Sequence, residues 1–182
     1  MLKDKKRICV FCGSSLGNDK LIQKEVIKLA KIISENNLEL VYGGAKIGLM
    51  GLIAKEVQRH GGKVIGIIPK FLDKKEIINK NLTQLHLVDS MHERKQKMYD
   101  ISDFFIALPG GIGTLEELFE IITWKQLKLK KAPIGILNIS KYYEKIIEHI
   151  HLMVKNDFLH KNFIDEIIVS NSSKDLINRI IN

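Results

Sequence analysis

With 182 residues, 45% hydrophobic and 27% charged, and with 3 prolines beside 13 glycines, the chain has the make-up of one folded domain over residues 1–182 and not of a disordered or fibrous protein. No apolar run approaches the roughly 18 residues a membrane span needs, and the charged start Met1 to Arg7 leads into no signal-peptide core, so a cytoplasmic protein without a membrane partner is expected. The net charge of +8 comes from lysines scattered through every segment with few aromatics among them, which describes a solvated surface that attracts small anions such as nucleotides and predicts no nucleic-acid partner.

The first predicted strand runs from Arg7 to Phe11 and carries Cys9, with Cys12 just after it. Residues three apart on a strand point to opposite faces, and no second Cys or Cys/His pair follows at zinc-site spacing, so two inert thiols and no metal are expected. A helix follows from Lys20 to Glu35, then a strand from Glu39 to Tyr42, a helix from Leu49 to His60 and a strand from Lys63 to Ile68. Leu85 to Val88 reads as a strand, Met91 to Ile101 as a helix, Asp103 to Leu108 as a strand and Thr114 to Leu129 as a helix. The chain closes with a strand from Pro133 to Leu137, a helix from Lys141 to Lys155, a short seventh strand candidate at Ile167 to Val169 and a helix from Lys174 to Ile181. Short β-branched runs alternating with segments of helical period predict an α/β fold, a parallel sheet of six or seven strands flanked by helices. In such sheets ligands bind beyond the carboxyl ends of the strands, which directs attention to the turns there.

Three of those turns are rich in glycine: Cys12-Gly-Ser-Ser15, Tyr42-Gly-Gly-Ala-Lys-Ile-Gly-Leu-Met-Gly51 and Pro109-Gly-Gly-Ile-Gly-Thr114. Glycine lets backbone N–H groups approach a phosphate closely, and a helix N-terminus beyond the turn adds a favourable dipole, so together they predict an anion site. None matches G-x-x-x-x-G-K-[ST], and no G-x-G-x-x-G with a ribose-binding acid follows a strand, which argues against a P-loop NTPase and an NAD-dependent dehydrogenase. Thr114-Leu-Glu-Glu117 fits a capping box with Thr114 as N-cap, yet capping leaves Glu116 and Glu120 unexplained. Three carboxylates beside a phosphate loop suit an enzyme that stabilises a cationic ribosyl transition state. Ser90-Met-His-Glu93 is a second capping box, and the helix it opens sets Met91, Arg94 and Met98 on one apolar stripe. An arginine there either snorkels or is held in the cleft to grip a phosphate or carboxylate. His149 and His151 lie two apart on a helix and share no face, and His92 is expected to be exposed.

Taken in order, Cys12-Gly-Ser-Ser15, Tyr42-Gly-Gly44 with Gly48-Leu-Met-Gly51, Ile65-Gly-Ile-Ile-Pro69, Met91-His-Glu-Arg-Lys95 and Pro109-Gly-Gly-Ile-Gly-Thr-Leu-Glu-Glu117 resemble the LOG ("Lonely Guy") cytokinin riboside 5′-monophosphate phosphoribohydrolases, over about Ile8 to Asn138. The resemblance implies a Rossmann-like doubly wound fold, a homodimer, no cofactor, and hydrolysis of AMP or N6-modified AMP to free base and ribose 5-phosphate. By position it makes Arg94 and Glu117 the catalytic pair and Gly110, Gly111, Gly113 and Thr114 the phosphate cradle. Ser14, Gly43, Gly44, Met50, Lys95 and Glu116 are assigned to substrate binding on the same footing. Ala45 departs from the third glycine common in the family. Such sequences have often been labelled lysine decarboxylases, but a pyridoxal-phosphate enzyme needs a Schiff-base lysine and no lysine here stands out in that role. The competing reading is a non-catalytic nucleotide sensor or carrier, for which the glycine loops suffice.

Overall fold

The computed structural model describes residues 5–75 and 77–182; the chain start from Met1 to Asp4, part of the basic segment noted above, lies outside them. Seven strands form one sheet: β1 (Arg7–Phe11), β2 (Glu39–Tyr42), β3 (Val64–Pro69), β4 (Gln84–Val88), β5 (Phe104–Ala107), β6 (Ile134–Leu137) and β7 (Ile167–Ser170). Their order is β4-β3-β2-β1-β5-β6-β7 and every pairing is parallel. The strand candidate at Ile167 is therefore real, pairing Ile134 with Ile167 through Leu137 with Ser170.

Helices cover both faces, and this explains the unbroken apolar runs of the central strands. α1 (Lys20–Glu35), α2 (Gly48–Arg59) and α6 (Ser173–Ile181) pack on the face that receives Ile8, Val10 and Cys12. α3 (Met91–Asp100), α4 (Ile112–Gln126) and α5 (Glu144–Lys155) pack on the face that receives Cys9 and Phe11. The two thiols thus lie on opposite sides of the sheet, and burial pushes both well above the usual thiol range, which leaves them protonated and unreactive. On α1 the buried positions Ile22, Val26, Leu29, Ala30 and Ile33 follow the helical repeat behind an Asp19 cap that accepts from the Leu21 amide at 2.7 Å. Each large apolar side chain buried in this way contributes roughly 1.5–3 kcal/mol.

β1 is the pivot of the topology. From it the chain first moves outward through β2, β3 and β4, then returns to pair β5 on β1's other side, with Ile8 opposite Phe104 and Phe11 opposite Ala107. The carboxyl ends of β1 and β5 therefore diverge into a crevice at the switch point. The helix expected from Lys141 begins only at Glu144, because Ser140 (φ 52°) and Lys141 (φ 58°), inside the short 3₁₀ turn Ile139–Lys141, are left-handed. Further 3₁₀ turns at Lys70–Lys75 and Lys161–Glu166 were not expected, since such short turns carry no repeating apolar signature.

Candidate active site

The glycine turns meet at the switch point, but they do different jobs. The Gly13 amide donates to the Pro109 carbonyl at 3.2 Å, tying the β1 turn to the β5 turn. α2 has its first amides occupied: Leu49 and Met50 donate to the Gly13 carbonyl at 3.1 and 3.4 Å, and a Cβ on Gly48 (φ 59°) would collide with the Ser14 backbone. At the start of α2 the second glycine turn is thus used for close packing against the β1 turn. α4 is the opposite case. It starts at Ile112 with Gly111 as N-cap and no side-chain cap, so Thr114 is not the N-cap its sequence suggested but lies inside the first turn. Two glycines ahead of Thr114 let the helix begin earlier. The amides of Gly111, Ile112 and Gly113 have no acceptor among the described residues, which leaves unsatisfied donors at the positive end of a 15-residue helix.

The second capping box does form. The Ser90 hydroxyl accepts from the Glu93 amide at 3.1 Å, and the Glu93 carboxylate reaches back to the Asp89 amide at 2.8 Å. The cap sets the phase of α3 so that Arg94 and Met98 are its buried residues while Met91 and His92 stay exposed. Arg94 Nη2 meets Glu117 Oε1 at 3.1 Å, and both side chains are about nine-tenths buried. Gly43 makes room for this pair, since a Cβ there would overlap the guanidinium. Among the described residues Arg94 Nε is buried without a partner and Nη1 has only the Met91 sulfur, at 3.7 Å, so the fork keeps donors in reserve.

Burial raises the Glu117 carboxyl from its ordinary 4.5 to about 7; Arg94 opposes the rise, Glu116 and Glu120 add to it, and Lys95 opposes it. The cluster of three carboxylates is therefore not three free charges. Lys95, itself largely buried, bridges Glu116 and Glu120, the latter at 3.1 Å. Two parallel ion-pair sets thus fasten α3 to α4, one facing the crevice and one beside it.

Of the residues singled out from the sequence, Ser14, Gly43, Met50, Arg94, Gly111, Gly113, Thr114, Glu116 and Glu117 line one cavity of about 350 Å³. Its remaining wall is apolar and includes Ala45, Ile47, Ile68 and Leu72. Gly44 lies outside that lining, turned at φ 76° against Ile68, and Lys95 is engaged with its carboxylates. Gly110 borders an adjoining cavity of about 500 Å³ with Ser15, Asp19 and Tyr142. Ala45 takes no left-handed conformation and bridges to Ile78, so the position tolerates a methyl group. Tyr142, whose hydroxyl donates to the Gly110 carbonyl, escaped the sequence reading; its place after β6, at the same sheet edge, was the available signal.

Residues 50–180 match the family model described as "Possible lysine decarboxylase". The chain is also 45% identical over 175 residues to the cytokinin riboside 5′-monophosphate phosphoribohydrolase LOG1 of Arabidopsis thaliana, covering 96% of this chain and 82% of that protein. The chain belongs to the LOG family. A second LOG relative, the probable cytokinin riboside 5′-monophosphate phosphoribohydrolase LOGL2 of Oryza sativa subsp. japonica, is 43% identical over 175 residues, 96% of this chain and 72% of that one. Among solved structures, the LOG-family chain is similar to the molybdenum cofactor binding protein of Rippkaea orientalis, with a TM-score of 0.73, 20% identity and 99% of each chain covered. That likeness establishes a shared Rossmann-like fold.

Proposed function

We propose that this LOG-family chain is an enzyme that hydrolyses the N-glycosidic bond of a purine nucleoside 5′-monophosphate, AMP or an N6-modified AMP, releasing the free base and ribose 5-phosphate. The observation that carries this reading is the buried Arg94–Glu117 pair in the same cavity as the uncapped N-terminus of α4. Cleavage of the bond to the base builds positive charge on the ribose, and a carboxylate near that carbon stabilises it. In this reading Glu117 lies against the sugar, steadies the cation and orients or deprotonates the attacking water. Arg94 holds Glu117 in place and keeps it ionisable, while the loop Gly110 to Thr114 anchors the 5′-phosphate. Phosphate binding far from the reacting carbon then supplies orientation, so bare nucleosides should be poor substrates. The apolar wall of Ile47, Ile68 and Leu72 is compatible with a purine carrying an apolar N6 group. A cytosolic homodimer is the form in which we propose it works, with Ile112, 81% exposed at the cavity, a candidate for burial against a second copy.

A carrier gains nothing from a buried acid of this kind. Because the Glu117 carboxyl is raised in the folded chain, the folded state holds a proton there that the unfolded chain releases. Stability from this group is present below pH 4.5 and is lost as pH rises to about 7, a cost on the order of 3 kcal/mol. An enzyme that needs a poised carboxylate has a reason to bear it.

A panel of nucleoside monophosphates assayed for base release tests the proposal. Equal amounts of adenine and ribose 5-phosphate from AMP, with little from adenosine, are expected; release of orthophosphate, or no turnover on any purine monophosphate, would overturn it. The pH profile gives an independent check. The working form of Glu117 is the carboxylate, so kcat should rise about tenfold per pH unit on the acid side and level off at or above pH 7. A flat profile from pH 5.5 to 8 on a saturating substrate contradicts the assignment.

A further inference from the structure

Two adjacent tyrosines after β6 both reach into the β5 turn. Tyr143 is fully buried and its hydroxyl donates to the Leu108 carbonyl at 2.6 Å; Tyr142 is about half exposed and donates to the Gly110 carbonyl at 2.5 Å. The backbone is bent to deliver them, through the consecutive left-handed residues Ser140 and Lys141. Such residues cost roughly 1 kcal/mol or more each when they are not glycine. Asn138 holds the bend in place, accepting from the Tyr143 amide at 2.7 Å and donating to Glu144 at 3.0 Å.

The carbonyls of Leu108, Pro109 and Gly110 are thus all engaged, by Tyr143, by the Gly13 amide and by Tyr142. The third contact matters most. The peptide between Gly110 and Gly111 has glycine on both sides and is the one in the turn most free to flip. In a trans peptide the C=O and the following N–H point in opposite directions. With the Gly110 carbonyl drawn to Tyr142, on the side of the cavity bordered by Ser15 and Asp19, the Gly111 amide faces away from it, and Gly111 also lines the cavity of Arg94 and Glu117. A Cβ built on Gly111 meets nothing within 4 Å, and its amide has no acceptor among the described residues.

We propose that Tyr142 is a positioning residue for phosphate recognition: its hydroxyl locks the Gly110–Gly111 peptide so that the Gly111 amide joins those of Ile112 and Gly113 in presenting donors to one anion, without touching the substrate itself. The inference rests on the reading that this loop anchors the 5′-phosphate.

Tyr142→Phe tests it, because the ring and its edge-on packing against Tyr143 (centroids 5.1 Å apart, planes at 84°) remain and only the hydroxyl goes. Calorimetry should show binding of inorganic phosphate and of AMP weakened about three- to tenfold, the worth of one hydrogen bond. KM for AMP should rise by the same factor with kcat within about twofold, adenosine hydrolysis unchanged, and a melting temperature within a few degrees of the parent. Unchanged binding of both ligands by folded Tyr142→Phe overturns the proposal, as does an equal loss on AMP and adenosine, or a complex in which phosphate bonds directly to the Tyr142 hydroxyl. Should the parent bind phosphate yet release no base from AMP, the role of Tyr142 survives and only the hydrolase reading falls; should it bind neither, both fall.

Discussion

Glu117→Gln is expected to lower kcat for AMP by about 10²- to 10³-fold, or roughly 3 to 4 kcal/mol of transition-state stabilisation, with a much smaller change in KM. Glutamine matches glutamate in shape, still offers Arg94 an oxygen at the position of Oε1, and keeps α4 intact, so the variant subtracts charge and little else. The lost charge is the one set against the developing ribosyl cation, which exists only in the transition state; the effect therefore falls on turnover and not on binding. Two further changes accompany it. The acid limb of the pH profile should vanish, since the group that titrates near 7 is gone. The pH-dependent stability cost between 4.5 and about 7 should vanish as well, so the melting temperature of the variant gains on the parent as pH rises through that window. Near-normal adenine release by folded Glu117→Gln contradicts the role assigned to this residue.

Arg94→Met is expected to lower activity at neutral pH by about 10²-fold or more, by a different route. Arg94 is the strongest influence opposing the burial that raises Glu117. Without it the carboxyl moves further up and is protonated at pH 7, and the limb of the profile shifts toward higher pH so that part of the activity returns there. Removing one partner of a buried pair usually costs about 3–5 kcal/mol because the other charge is stranded. Here Glu117 can take up a proton instead, so destabilisation should be milder at pH 6 than at pH 8. Arg94→Lys separates charge from shape: it should restore much of the limb's position, but not the full rate, because an ammonium lacks the planar fork that meets Glu117 and keeps further donors free. A variant without Arg94 that kept both the parent rate and the parent limb would remove the pair from the mechanism.

Much of this architecture could be read from the chain because its central strands are apolar on both faces and its helices repeat cleanly. Ile8 to Phe11 alternate between two buried layers, and α1 shows its stripe from Ile22 to Ile33. The placement of Arg94 was legible for a local reason, since the Ser90 cap fixes the phase of α3 and the apolar spacing then turns position 94 inward. Thr114 shows the limit of such local signals. Its four-residue pattern is as good a capping box as that of Ser90, yet Gly110 and Gly111 ahead of it allow the helix to start earlier, and Glu117 is thereby free of any capping duty. Long-range pairings were out of reach for another reason. Glu116 and Glu120 look like surplus negative charge until Lys95, more than 20 residues upstream, is seen between them. The second glycine turn likewise reads as a phosphate nest, and only the fold shows its helix amides bonded to Gly13 and Ser15. Tyr142 had only its place after β6 to mark it, because the bend that turns it to the Gly110 carbonyl is made by Ser140 and Lys141, residues that do not announce a left-handed backbone.

The arrangement of the whole site stands or falls on where a nucleotide lies across it. A crystal structure of Glu117→Gln soaked with AMP reads this directly. Phosphate oxygens are expected within hydrogen-bond distance of the Gly111, Ile112 and Gly113 amides, with the ribose carbon that bears the purine roughly 3 to 3.5 Å from side chain 117. A nucleotide seated instead between Ser15, Asp19 and Tyr142, its sugar turned away from Arg94 and position 117, would contradict it.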